Sequence, residues 1–239
     1  MTGRCLAMWS GPRNISTAMM RAWENRSDTV VVDEPLYAHF LDHTGFDHPM
    51  REEIIAAGDT QWQRVTAQMS QPPEQGIYYQ KHITTHWLEH FSYDWLDSLE
   101  HVFLIREPEP VVASYSIKRA GLTAMDLGYL QQAKLFTHIS ERQDQQPLVI
   151  DSKRFLMDPE SQLHSICSTL GIAFEPNMLA WPQGARPSDG VWGAHWYDAV
   201  IQSTGFAPPR PKAIQLTEQE QLIADTCRPY YELLAKHAL

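Results

Sequence analysis

Cysteine is scarce in these 239 residues, and the three present, Cys5, Cys167 and Cys227, stand far apart with no close-spaced pair. That argues against a disulfide framework and against a thiolate zinc site, and it fits a reducing cytoplasm. Long hydrophobic runs are missing too. The apolar stretches are of strand length, and no basic segment followed by a greasy stretch opens the chain, so neither a membrane span nor a secretory leader is expected. Positive charge is in deficit: 19 Lys and Arg against 29 Asp and Glu give a formal net charge of −10. Such a balance disfavours broad attraction to nucleic acid or anionic membranes, so any anion bound here has to be held by local groups. Internal repeats and low-complexity tracts are absent, and nothing specifies an oligomeric state.

What is present is enough for a core. With 43% hydrophobic side chains, residues 1–239 read as a single domain. Short apolar runs at 4–9, 28–35, 76–82, 100–108 and 147–152 have strand character. Helical periodicity fills 16–26, 51–69, 109–120, 126–143, 159–170 and 217–236. Strands that alternate with helices imply a three-layer α/β fold, a mostly parallel sheet with helices on both faces, because parallel neighbours need crossover connections. From about residue 171 the pattern turns irregular and rich in Pro, Gly and Trp. Residues 173–216 therefore read as a covering segment ahead of a C-terminal helix at 217–236.

Two stretches stand where chemistry is expected. "MWSGPRNISTAMMRAW" (8–23) is a strand end, a tight loop and a helix opening on Ser-Thr. In parallel sheets ligands collect beyond the carboxyl ends of strands, where helix N-termini present unpaired N–H groups and partial positive charge. Such an end binds phosphate or sulfate, with Arg13 adding a full charge and Ser16 and Thr17 adding hydroxyl donors. The plainer reading makes Ser16 a helix cap and Arg13 a solvated side chain. The loop is not the GxxxxGK[ST] of nucleotide triphosphatases, since Ile15 rather than Lys precedes the Ser-Thr and Gly11 is its one glycine. In "VFLIREPEPVVASYSIKRAG" (102–121) a strand runs into Arg106, and Ser114 follows about two turns into the next helix. Both can face one crevice and clamp a second phosphate.

With these two stretches the chain resembles the sulfotransferases that use 3′-phosphoadenosine 5′-phosphosulfate, whose fold is of the P-loop nucleotide-hydrolase type. The resemblance implies that Arg13, Asn14, Ile15, Ser16 and Thr17 hold the 5′-phosphosulfate, and that Arg106 and Ser114 hold the 3′-phosphate. Ile15 stands where the family often has Gly, and Arg13 where many members have Lys. "VVVDEPLYAHF" (30–40) is similar to the Glu-Pro-Leu-aromatic segment of carbohydrate sulfotransferases, which makes Glu34 the expected general base. "VIDSKRFLMDPESQLHSICSTLGI" (149–172) resembles a further family segment, a strand, a basic-apolar stretch and a helix ending in Leu-Gly. The runner-up base lies in "YYQKHITTHW", where cytosolic members carry a Lys and a His. Here Lys81, His82 and His86 occupy that region, with His82 as base, donor or core histidine and Lys81 as a contact to the transferring sulfonate.

The implied reaction moves a sulfuryl group from the donor to a hydroxyl or amine of a small-molecule acceptor, in line, with charge accumulating on the leaving oxygen. Arg13 and the helix-start amides would stabilise that charge. A nucleotide-dependent kinase and a non-catalytic nucleotide-binding protein are the alternatives. This donor chemistry requires no metal, so the His39, Asp42, His43, Asp47 and His48 cluster reads as a mobile acceptor-side loop. Trp192, His195, Trp196 and Tyr197 read as a lid over the acceptor, a stack on the adenine or plain core. In the family a late basic segment also reaches the 3′-phosphate, and here 203–212 supplies Arg210 and Lys212.

Overall fold

In a computed structural model, which describes residues 2–119, 121–143, 146–209 and 214–239, the five apolar runs become strands. The elements follow in the order β1 (Arg4–Ser10), α1 (Ser16–Glu24), β2 (Thr29–Asp33), α2 (Tyr37–Thr44), α3 (Arg51–Ala57), α4 (Trp62–Met69), β3 (Ile77–Ile83) and β4 (Glu100–Ile105). They continue with α5 (Pro108–Ser116), α6 (Tyr129–Arg142), β5 (Leu148–Asp151), α7 (Ser152–Met157), α8 (Pro159–Thr169), α9 (Gly193–Trp196), α10 (Asp198–Ile201) and α11 (Glu218–Ala235). The strands pair in the order β2-β3-β1-β4-β5, and every pair is parallel.

Parallel sheets need cover on both faces, and the period of two supplies apolar side chains to each. On one face Trp9 and Phe103 pack with Trp87, Trp95, Phe136 and Ile139, so that α6 and the end of α11 lie there. On the other, Met8, Tyr79 and Leu104 meet Met19, Met20 and Trp23 of α1 and Phe155, Leu163 and Ile166 of α7 and α8. This is the expected three-layer α/β arrangement. β1 sits at its centre, and the chain leaves it towards β3 and β2 on one side and β4 and β5 on the other. The crevice at that reversal is where ligands of such sheets bind.

Several expected helices change their limits for local reasons. The pattern at 51–69 splits into α3 and α4 at Gly58, where a side chain would come within 2.5 Å of the Ala38 Cβ, so only a bare backbone lets α3 end against α2. The stretch from His39 expected as a mobile loop instead begins inside α2, which spans Tyr37–Thr44. Gly45, at φ 64°, closes this helix in the left-handed conformation that glycine adopts without penalty. The described part of the covering segment includes a short 3-10 helix at Pro176–Leu179 and the helices α9 and α10 before α11. No helix among the described residues is long and apolar enough to cross a membrane.

Candidate functional site

A cavity of about 770 Å³ opens at the carboxyl ends of β1, β2, β3 and β4 and takes lining residues from both suspected segments, including Arg13, Ser16, Thr17, Glu34, Arg106 and Ser114. Its two ends differ in chemistry. One is cationic and the other holds a buried carboxylate.

The cationic end is built by the loop after β1. Arg13 takes a left-handed backbone conformation, φ 55°, and its carbonyl accepts a hydrogen bond from Arg106 Nη1 at 2.7 Å. Arg13 Nε donates to Ser114 Oγ at 3.0 Å, and Asn14 Nδ2 donates to the Leu104 carbonyl at 3.1 Å. The loop is thus riveted to β4 and α5. Ile15, not Ser16, is the residue before the first helical turn of α1, and no side chain caps that turn. The N–H groups of Ser16 and Thr17 belong to the turn that has no intrahelical acceptors, and both residues line the cavity. Burial lowers the pKa of both guanidiniums, more than the nearby tyrosines and carboxylates raise it. Among the described residues no carboxylate lies within ion-pair distance of either one. Two half-buried cations with no carboxylate in ion-pair contact among the described residues, beside an open helix N-terminus, form a site suited to an anion.

The other end is built by β2, β3 and the covering segment. Glu34 follows the last residue of β2, and its φ of 43° ahead of Pro35 is a costly conformation that turns the chain into α2. Its Oε1 accepts from Lys81 Nζ at 2.6 Å and lies 3.3 Å from the Tyr197 hydroxyl oxygen. Lys81 also donates to Asp33 Oδ1 at 2.8 Å, and Asp33 Oδ2 accepts from Tyr197 at 2.7 Å and from the Gly190 N–H at 3.1 Å. Burial pushes the Glu34 pKa up, Lys81 works against that, and the net direction is upward. Burial works against the Lys81 charge, but Asp33 and Glu34 outweigh it and hold its pKa above the ordinary value. Glu34 Oε2 faces His86 Nδ1 at 3.9 Å. His86 lies stacked on Tyr37 with centroids 4.2 Å apart, burial keeps it neutral well below its usual pKa, and its Nδ1 has no hydrogen-bond partner.

The sequence-based expectations therefore divide. Arg13, Asn14, Ile15, Ser16, Thr17, Glu34, Lys81, Arg106 and Ser114 all line the one cavity. His82 does not, and its candidacy as base is corrected here. Alternation along β3 sends Lys81 to one face and His82 to the other, where His82 stacks on Trp9 at 4.3 Å and bonds Gln80 Oε1 through Nε2 at 3.2 Å. Burial takes its pKa down to about 3. Lys81 is saturated by Asp33, Glu34 and Tyr197, so it holds the carboxylate rather than reaching for a sulfonate. Trp192, Trp196 and Tyr197 line the cavity, and Trp192 Nε1 donates to the Tyr197 hydroxyl at 2.9 Å. Arg210 and Lys212 lie outside the described residues. Sequence reasoning missed Asp33, although its place beside Glu34 was a visible signal, and it could not place Tyr197, 164 positions away from its partner.

Comparison with known proteins bears on the fold and the family. The family model described as "Sulfotransferase domain" matches residues 4–238. Two Arabidopsis thaliana proteins, branched-chain-amino-acid aminotransferase-like proteins 1 and 2, are 34% and 32% identical over 232 residues, which is 96% of this chain. The chain spans 41% of the length of each of those relatives. Among solved structures, a sulfotransferase from Alicyclobacillus acidocaldarius superposes with a TM-score of 0.58 at 10% identity, over 100% of this chain and 98% of that one. A mouse sulfotransferase, SULT7A1, complexed with PAP, gives 0.55 at 11% identity over 98% and 84%. These structures share the fold. The five-stranded parallel sheet, the loop after β1 and the near full-length match together show that the chain belongs to the sulfotransferase domain family.

Proposed function

We propose that this protein transfers a sulfuryl group from 3′-phosphoadenosine 5′-phosphosulfate to a hydroxyl or amine of a small, partly apolar acceptor. The observation that carries the reading is the pair of guanidiniums, Arg13 and Arg106, neither in ion-pair contact with a carboxylate among the described residues, at the open N-terminus of α1 and in the same cavity as the buried Glu34. A donor with phosphate at two positions of its ribose fits such a cluster. The 5′ side would lie on the loop and the amides of Ser16 and Thr17, and the 3′-phosphate on Arg106 and Ser114. That a mouse protein of this fold is complexed with PAP supports the same reading.

In the step itself the acceptor oxygen or nitrogen attacks sulfur, the bond from sulfur to the leaving phosphate oxygen breaks, and the acceptor proton passes to Glu34. Oε1 is engaged by Lys81, which leaves Oε2 as the accepting atom. Burial raises the basicity of the carboxylate, and Lys81 fixes its direction. Charge that builds on the leaving phosphate meets Arg13 and the α1 amides, already oriented by Ser114 and Arg106. Aromatic walls from Tyr37, Phe40, Trp192 and Trp196 suit an acceptor with an apolar portion.

Calorimetric titration with adenosine 3′,5′-bisphosphate tests the donor assignment. The intact protein should bind it and Arg106→Ala should bind about tenfold or more weakly, a loss of about 1.4 kcal/mol or greater. Equal affinity in the two proteins, or preference for ATP with magnesium, overturns it.

A further inference from the structure

His39, His43 and His90 converge on the side of α2 turned away from the cavity, with one ring nitrogen of each lying within 4.8 Å of the others. His39 and His43 are four residues apart and so share one face of α2, and their rings stack with centroids 5.4 Å apart. His90 comes from the segment after β3, its ring centroid 4.3 Å from that of His43.

The hydrogen bonds of His39 fix which of its nitrogens is free. Its Nδ1 lies 2.6 Å from the Thr60 carbonyl oxygen. A carbonyl only accepts, so Nδ1 carries the proton and Nε2 is left with its lone pair. This is the arrangement that orients a metal-binding imidazole: one ring nitrogen anchored to a backbone carbonyl, the other presented outward. His39 Nε2 stands 3.1 Å from His90 Nε2. Ligand nitrogens on a tetrahedral ion with bonds of about 2.0–2.1 Å are roughly 3.3 Å apart, so this pair already has the required spacing. His43 and His90 are exposed while His39 is buried, so the buried ring is the fixed ligand and the two exposed side chains are the ones that would turn onto an ion.

We infer that His39, His43 and His90 form a binding site for a divalent first-row transition ion, zinc above all, with solvent completing the coordination. Three imidazoles suit zinc, copper or nickel and not magnesium or calcium, which take oxygen ligands. The ion would tie α2 to the segment after β3. The opposite side of α2 carries Tyr37, Phe40 and Thr44 into the cavity, so the bound ion braces the wall that faces the acceptor. The site is independent of the sulfuryl-transfer reading, because no atom of it touches the cavity.

The test uses the full chain stripped with a chelator and titrated with zinc chloride alone, in competition with a chromophoric chelator, alongside thermal melts with and without the ion. One zinc per chain should bind and raise the melting temperature, while magnesium should do neither. His43→Ala and His90→Ala alter exposed side chains and leave the fold intact; each should weaken binding about tenfold or more and abolish the rise in melting temperature. Absence of zinc binding by the unaltered protein, or binding by either variant as tight as that of the unaltered protein, overturns the inference.

Discussion

Glu34 sits where water hardly reaches it, 8% exposed beside a lysine that is 1% exposed, and both facts bear on its chemistry. Glu34→Gln preserves the shape and should lower turnover roughly a hundred- to ten-thousand-fold, while affinity for adenosine 3′,5′-bisphosphate stays as it was. Because burial raises the carboxyl pKa, the rate of the unaltered protein should climb with pH through a value above the ordinary carboxylate range and then level off, and the Gln variant should lack that limb. Lys81→Met leaves Asp33 and Glu34 buried without their cation, which should cost about 3–5 kcal/mol in urea unfolding, partly regained at acid pH as a carboxyl takes up a proton. Legibility at this scale followed chain distance. Arg13, Ser16 and Thr17 were readable because one loop carries them, and Glu34 because a proline-marked strand end does. Lys81 and His82 were not separable, since a strand's facing depends on which of its sides the neighbouring helices cover.

At the scale of elements the sheet was the clearest prospect, because β1 and β4 are short, apolar and bounded by charged or turn-forming residues. α2 escaped notice: the histidine- and aspartate-rich stretch from His39 reads as a loop, and only the structure shows Gly45 as the terminator of a two-turn helix. α7 also went unforeseen, although its signal was present. Asp151, the last residue of β5, accepts from the N–H groups of Lys153 and Arg154 and so starts α7, while its second oxygen accepts from the Tyr231 hydroxyl of α11 at 2.8 Å. One carboxylate thereby joins a strand, the helix after it and the last helix. Asp151→Ala should lose about 1 kcal/mol for the cap and about 1 kcal/mol for the tyrosine contact, whereas Tyr231→Phe should lose only the second, as read from urea midpoints. Neither change should alter donor affinity.

For the molecule as a whole, the buried histidines set an acid limit. Burial takes His82 down to about 3, and His101 and His48 down to about 4. A histidine whose folded pKa is depressed adds stability above its unfolded pKa of about 6.5 and loses it as pH falls towards the folded value, because the unfolded chain binds protons that the folded chain refuses. Thermal melts between pH 7 and pH 4 should therefore fall steadily, each such group contributing up to about 1.4 kcal/mol per pH unit within its window. His82→Phe, which keeps a ring against Trp9, should shallow that slope. The division of labour around the cavity has a different kind of consequence. The cationic end is borne by loops anchored to the central strands, whereas the aromatic end is borne by α2 and a segment that crosses over from late in the chain. Substitutions in that roof would therefore reshape one end of the cavity while the loop after β1 keeps its bonds to Ser114 and Arg106.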